Sequence, residues 1–106
     1  MYVVIFEVYP HASQKNRYFE LAAQLRETLV QQPGFVQIER FQSLIDEGKI
    51  LSLSCWESEE AIAGWRNHAE HMVMQKEGKA TVFDSYRLRV AQVVRDYDFS
   101  SSAQES

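Results

Sequence analysis

Residues 49–78 read KILSLSCWESEEAIAGWRNHAEHMVMQKEG, and a change of period inside this run decides the fold. From Lys49 to Glu57, Ile50, Ser52, Ser54 and Trp56 alternate with Leu51, Leu53, Cys55 and Glu57. A period of two is that of a strand, and its Leu51/Leu53/Cys55 face is expected to enter a core. Ser58 then precedes Glu59 and Glu60. A hydroxyl there accepts an orphan backbone N–H and the acids complement the helix dipole, so a helix starts at this point. Behind it Ala61, Ile62, Trp65, Ala69 and Met72 recur at steps of three and four, and Gly78 is expected to stop the helix.

Upstream, YVVIFEVY (2–9) is rich in β-branched and aromatic residues and reads as a first strand that Pro10 ends. Ser13 is a candidate cap for a helix from Gln14 to about Gln32, with Tyr18, Leu21, Ala22, Leu25 and Leu29 as its apolar stripe. Lys15, Arg17, Glu20, Arg26 and Glu27 point mostly away from that stripe. Pro33-Gly34 breaks the chain, and GFVQIERFQSL begins a second strand in which Phe35, Glu39 and Phe41 oppose Val36, Ile38 and Arg40. Asp46-Glu47-Gly48 is turn chemistry, with Gly48 able to take positive φ, so the second and third strands should form an antiparallel hairpin. The last strand is expected from about Thr81 to Arg95, unusually long, and the Ser-rich tail 98–106 is expected to fray.

The order β-α-β-β-α-β predicts a ferredoxin-like α+β domain over residues 1–97: a four-stranded antiparallel sheet with two helices on one face. One sheet face is then left without cover from its own chain. Exposed apolar surface of that kind predicts a two-fold homodimer through the sheet face, with the long C-terminal strand reaching across to the partner.

With 106 residues, 45 % apolar and 25 % charged, the chain has the composition of one ordinary globular domain. A net charge of −4 gives no electrostatic case for nucleic acid, and Arg87, Arg89 and Arg95 read as a solvated strand face. MYVVIFEV is too short for a signal h-region, has no basic n-region and is broken by Glu7, and no apolar run reaches membrane-spanning length, which points to the cytoplasm. Cys55, the one cysteine, reads as a small core residue.

The combination of ERFQSL (39–44), the strand ending Trp56-Glu57-Ser58, the helix bearing Trp65 and then histidines, and the final SYRLRVAQVVR resembles the antibiotic biosynthesis monooxygenase family, of dimeric α+β barrel fold. The likeness runs from Tyr2 to Arg95. It implies a pocket between helices and sheet, and in the enzymes of the family an oxidation of aromatic polyketides or quinols by O₂ with no metal and no cofactor. In such chemistry an electron-rich phenol loses a proton and its anion reduces O₂, while the protein desolvates, orients and stabilises the anion. A second branch of the family binds and degrades haem, with an Asn on the first strand and an axial His near the end of the second helix. Here the first strand has no Asn and the helix position is Gln75. The polyketide-oxidising branch places an Asn one turn before the tryptophan, where this chain has Ala61.

The candidate site follows from both readings. Trp65 is a core residue by periodicity, and by resemblance a pocket wall with an indole N–H for substrate or O₂. His68, one turn on, is either a histidine at the core edge or the base that deprotonates a phenol. Trp65 and His68 are the candidate catalytic pair, with Tyr18, Arg40, His71, Met72 and Tyr86 as candidate substrate contacts. His68-x-x-His71 lacks a third ligand, so no metal is expected, and His11 reads as solvated. Arg40 would stabilise an enolate or phenolate if it faced inward; a cross-strand pair with Glu7 or Glu57 is the plainer alternative. Trp56 reads as a structural or dimer-interface residue. The ligand class is a small hydrophobic aromatic, and the reading from another class is a non-catalytic dimeric binding or stress-associated module.

Overall fold

The computed structural model describes residues 1–76 and 79–101, with the side chains of 70, 71 and 73–80 outside the described set. Its elements are β1 (Tyr2–Pro10), a turn of 3-10 helix (Ala12–Gln14), α1 (Lys15–Leu29), β2 (Phe35–Gln42), β3 (Ile50–Trp56), α2 (Glu59–Lys76), the short α3 (Lys79–Val82) and β4 (Phe83–Gln92). The strands form one antiparallel sheet in the order β2-β3-β1-β4. This is the predicted ferredoxin-like plan, with the first and third strands central and the hairpin partner and last strand at the edges.

Which face of the sheet the helices cover is the main correction to the sequence reading. Ile50, Ser52, Ser54 and Trp56 are buried on the covered face, whereas Leu51 and Leu53 are only half-buried on the other. The register puts Val4 opposite Ser54 and Phe6 opposite Ser52, so Val4, Phe6 and Val8 share that covered face. Trp56 is the reason: at 1 % exposed it is the largest fully buried side chain, and burying an indole outweighs burying two part-covered leucines. It packs with Val4, Leu29 and Ile62 and edge-on to Phe35 at 5.5 Å. Its Nε1 donates to Ser54 Oγ at 2.9 Å, so the polar atom goes in satisfied. Trp56 is therefore structural, and its place under the helices takes it out of any sheet-face interface. Cys55 is buried as expected, although on the face away from the helices, where Gln37 Nε2 approaches its sulfur at 3.7 Å.

Local chemistry sets the element boundaries. Ser58 Oγ accepts from Ala61 N–H at 3.1 Å and caps α2 as predicted; Gly78 lies outside the described residues. Ser13 does not cap α1, because Gln14 N–H donates to His11 C=O at 2.8 Å and closes a 3-10 turn through that position. α1 stops at Leu29, and its predicted stripe of Tyr18, Leu21, Ala22 and Leu29 is buried. A bulge between Phe35 and Gln37 turns Phe35 inward beside Ile38 and Arg40 and leaves Val36 44 % exposed. Gly34 carries the positive φ, +80°, and a Cβ there would stand 2.7 Å from Ala61 Cβ, so the turn into β2 is packed directly on α2. Gly48 keeps a negative φ; the 43–49 loop is closed instead by Asp46, whose Oδ1 accepts from Gly48 N–H and whose Oδ2 accepts from Tyr9 O–H at 2.7 Å. That acidic acceptor holds the Tyr9 phenol above its ordinary pKa of 10.0.

The last strand is shorter than its sequence suggests. Thr81 and Val82 close α3, with Val82 fully buried, and β4 pairs with β1 from Phe83 to Gln92. Val93 N–H adds one further bond to Met1 C=O, after which the chain leaves the sheet with Val94 93 %, Tyr97 81 % and Phe99 73 % exposed. No helix among the described residues is long and apolar enough to cross a membrane.

Candidate active site

The covered face of the sheet is not filled to the usual density. β3 contributes two serines there, Ser52 and Ser54, where a packed core would carry leucine or valine, and the volume they leave is not recovered by the helices. The result is a cavity of about 200 Å³ between α1, α2 and the sheet. It is somewhat larger than the ~150 Å³ engineered cavity that accepts benzene, which suits a substituted monocyclic or a small bicyclic ring.

The cavity is apolar in body and cationic at selected points. Val4 and Phe6 of β1, Ile38 of β2 and Leu88 of β4 form its floor, with the Ser52 and Ser54 side chains between them. From α1 come Tyr18, Leu21, Ala22, Leu25 and Leu29; from α2 come Ile62, Trp65 and Ala69. These α2 positions are the i, i+3, i+7 stripe read from the sequence; Ile62 also belongs to the core around Trp56, and Trp65 and Ala69 carry the stripe on along the hollow. Phe83 and Tyr86 close the β4 end, where the Phe83 and Tyr86 rings meet at 5.7 Å and Phe83 meets Tyr18 at 6.0 Å. Arg26, Arg40 and Arg66 are the charged side chains on the described wall, which includes no carboxylate.

The predicted site residues divide accordingly. Tyr18, Arg40, Trp65 and Tyr86 come together on one cavity, from four different elements. Tyr18 is 5 % exposed, Trp65 is half-buried, and Tyr86 is 43 % exposed at the edge. His68 stands on the exposed side of α2, its ring 5.7 Å from that of Trp65, and is not among the described wall residues. Met72 is half-buried farther along α2 and is likewise not on that wall. The His71 side chain lies outside the described residues.

Arg40 does not make the cross-strand pair that was the plainer expectation. Glu7 sits on the opposite face of the sheet, where it pairs with Lys49 Nζ at 3.3 Å and Arg89 NH1 at 3.4 Å. Arg40 faces the helices, directly across from Ser52 in the β2–β3 register. Its Nε is buried and has no hydrogen-bond partner, the one such side-chain atom among the described residues. A buried donor without an acceptor costs on the order of 1–3 kcal/mol, more when charged, which marks Arg40 Nε as a donor on the cavity wall that is open to an acceptor.

Sequence reasoning missed Arg26 and Arg66. Both are exposed by helical periodicity, yet each stands next to a stripe residue, Leu25 or Trp65, so a long side chain reaches the cavity rim while its head stays near water. The serines were visible as an alternation but were assigned to the solvent side; two small hydroxyl residues flanked by Ile50 and Trp56 were the signal of a hollow.

Comparison with known proteins agrees with this architecture. The sequence profile of the antibiotic biosynthesis monooxygenase family matches residues 1–77. A jasmonate monooxygenase from the fungus Pyricularia oryzae is 42 % identical over 93 residues, covering 88 % of this chain and 43 % of that protein. The chain thus spans less than half the length of this curated relative. Among solved structures, Rv0793 from Mycobacterium tuberculosis superposes with a TM-score of 0.76 at 12 % identity, covering 92 % of this chain and 98 % of the other. A variant of SnoaB, a cofactor-independent oxygenase from Streptomyces nogalater, superposes with a TM-score of 0.72 at 10 % identity, over 90 % and 94 % of the two chains. At those identities the two structures speak for the fold.

Proposed function

Because the chain belongs to the antibiotic biosynthesis monooxygenase family, we propose that it is a cofactor-independent monooxygenase that oxidises a small aromatic or quinol-type substrate with O₂ in the cavity under α2. The observation that carries this reading is the junction of Tyr18, Arg40, Trp65 and Tyr86 on one largely apolar hollow. A relative named for jasmonate oxidation supports the oxygenase class.

The chemistry asks little of the protein in the way of nucleophiles. An electron-rich phenol or enol that loses a proton becomes an anion able to pass electrons to O₂. One oxygen atom then enters the product and the other leaves as water, with all the electrons coming from the substrate. The Arg40 guanidinium favours the anion over the neutral phenol by direct charge stabilisation, and the apolar walls strengthen that attraction by excluding water. Trp65 on the α2 wall and Tyr18 on the α1 wall are proposed as the donors for substrate oxygen, with the Tyr86 ring at the β4 end. His68 lies on the exposed side of α2, off the described wall, so the substrate proton is proposed to pass to solvent at the open rim rather than directly to this imidazole.

The active unit is proposed to be a homodimer in the cytoplasm. Val3, Ile5, Leu51 and Leu53 are part-exposed on the uncovered sheet face, and the apolar Val94, Tyr97 and Phe99 project beyond the sheet.

Oxygen uptake over a panel of quinols and hydroxyaromatics, with a chelator present and no cofactor added, tests the oxygenase. Protein-dependent uptake that survives the chelator and falls at least tenfold in Trp65→Phe is the expected result. Uptake abolished by the chelator, or unchanged in Trp65→Phe, overturns it.

A further inference from the structure

The cavity is apolar over most of its wall, yet the charged groups on its described wall are all of one sign. Arg40 stands on β2, Arg26 on α1 and Arg66 on α2, and no Asp or Glu joins them on the described wall. The chain as a whole carries a net charge of −4, so this local excess of cation runs against the composition rather than following from it. Arg40 is the inner member: its Nε is buried without a partner, and Ser52, 8 % exposed, stands directly across in the register with a hydroxyl on the same face. Arg26 and Arg66 are exposed and mark the mouth.

We propose that the ligand of this cavity is a compact apolar carboxylate, its ring against Trp65 and the leucines and its carboxylate held by Arg40 and Ser52. The inference rests on the cavity being the binding site and goes beyond it by assigning the ligand a permanent negative charge. A guanidinium presents parallel N–H donors that match a carboxylate in geometry, and the apolar surround makes the pair stronger than the same pair in water. A neutral phenol offers the guanidinium one weak acceptor oxygen and no charge until it ionises. A carboxylate pairs with it from the moment of entry. Arg26 and Arg66 raise the potential at the mouth and draw the anion in, an effect that salt screens. Carboxylate capture also fixes orientation. With the acid end held on β2, the far end of the ligand is directed toward Tyr18, Trp65 and Tyr86, where the oxidation is proposed to take place.

The test uses 1-naphthoate and its neutral isostere 1-naphthamide, titrated against the intact protein by calorimetry, with Trp65→Phe fluorescence controls to place the site. Naphthoate is expected to bind about tenfold or more tighter than the amide at low salt, and its advantage should shrink as salt rises. In Arg40→Met the preference for the acid over the amide should fall to within about twofold, the acid losing more affinity than the amide. In the double substitution Arg26→Gln with Arg66→Gln the naphthoate should weaken a few-fold without change in the amide. Equal binding of acid and amide, or a preference that survives Arg40→Met, overturns the carboxylate assignment and leaves the cavity as the site. Absence of any heat or Trp65 quenching with either probe overturns the cavity reading itself. Should Arg40→Met fail to fold, the salt dependence of the wild-type preference decides the matter: a salt-independent preference overturns the assignment.

Discussion

At the scale of single residues, the two tryptophans do different work although they lie nine positions apart on adjoining elements. Trp56 is sealed among Val4, Leu29 and Ile62 with its N–H committed to Ser54. Trp65 is half-buried on the cavity wall. Trp56→Ala therefore removes a fully buried ring and strands a packed hydroxyl; the expected loss is about 3–5 kcal/mol in denaturant unfolding. A loss under about 1 kcal/mol would contradict its place as the centre of this core. Periodicity put Trp65 on the inward stripe correctly but could not say that the stripe faces a hollow, because hollows come from what the opposing element lacks. The same limit hid Arg40. Strand alternation said that either Arg40 or Glu39 must face inward, and only the three-dimensional register, with Glu7 already held by Lys49 and Arg89 on the other face, decided between them.

At the scale of elements, the fold rests on the passage from β3 to α2 and its contact with the turn before β2. The strand, the Ser58 cap and the helix were all legible in the run 49–78, since each depends on neighbours in sequence. The covered face of β3 was not, because alternation gives two faces and no sign. Leu51 and Leu53 are the more apolar pair, but Trp56 fixes the choice. The span of β4 was misread for a related reason: Thr81 and Val82 carry strand propensity, and burial of Val82 in a short helical turn overrides it. Gly34 ties these elements together. Its φ of +80° and the 2.7 Å that a Cβ would have to Ala61 penalise any side chain twice. Gly34→Ala is expected to cost more than about 1 kcal/mol in thermal or chemical unfolding, and Ala61→Gly in the same chain should recover part of it. A neutral Gly34→Ala would show that α2 is free to move off the hairpin.

At the scale of the whole molecule, the layered plan leaves one sheet face uncovered, and its central strands hold the part-exposed Val3, Ile5, Leu51 and Leu53. Ile5 and Leu53 stand opposite each other in the β1–β3 register, so a charge at either is placed in the middle of that face. We expect a dimeric mass in light scattering for the wild type and a folded monomer for Leu53→Asp, with unchanged far-ultraviolet circular dichroism. A wild-type monomer, or a dimer indifferent to Leu53→Asp, would move the interface elsewhere. The radius of gyration, 15.6 Å, exceeds the ~13 Å of a compact domain this size, in keeping with a chain that runs on past β4 with apolar side chains in the open.

The central claim is that the space left by Ser52 and Ser54 beneath α2 is where this protein meets its ligand, and the two tryptophans allow it to be read directly. A ¹⁵N-labelled sample gives one indole cross-peak for Trp65, identified by its absence in Trp65→Phe, and one for Trp56. On titration with 1-naphthoate the Trp65 peak should shift in a saturable way while the Trp56 peak stays within a small fraction of that shift. A stationary Trp65 peak at saturating ligand, or a shift confined to Trp56, would contradict the account.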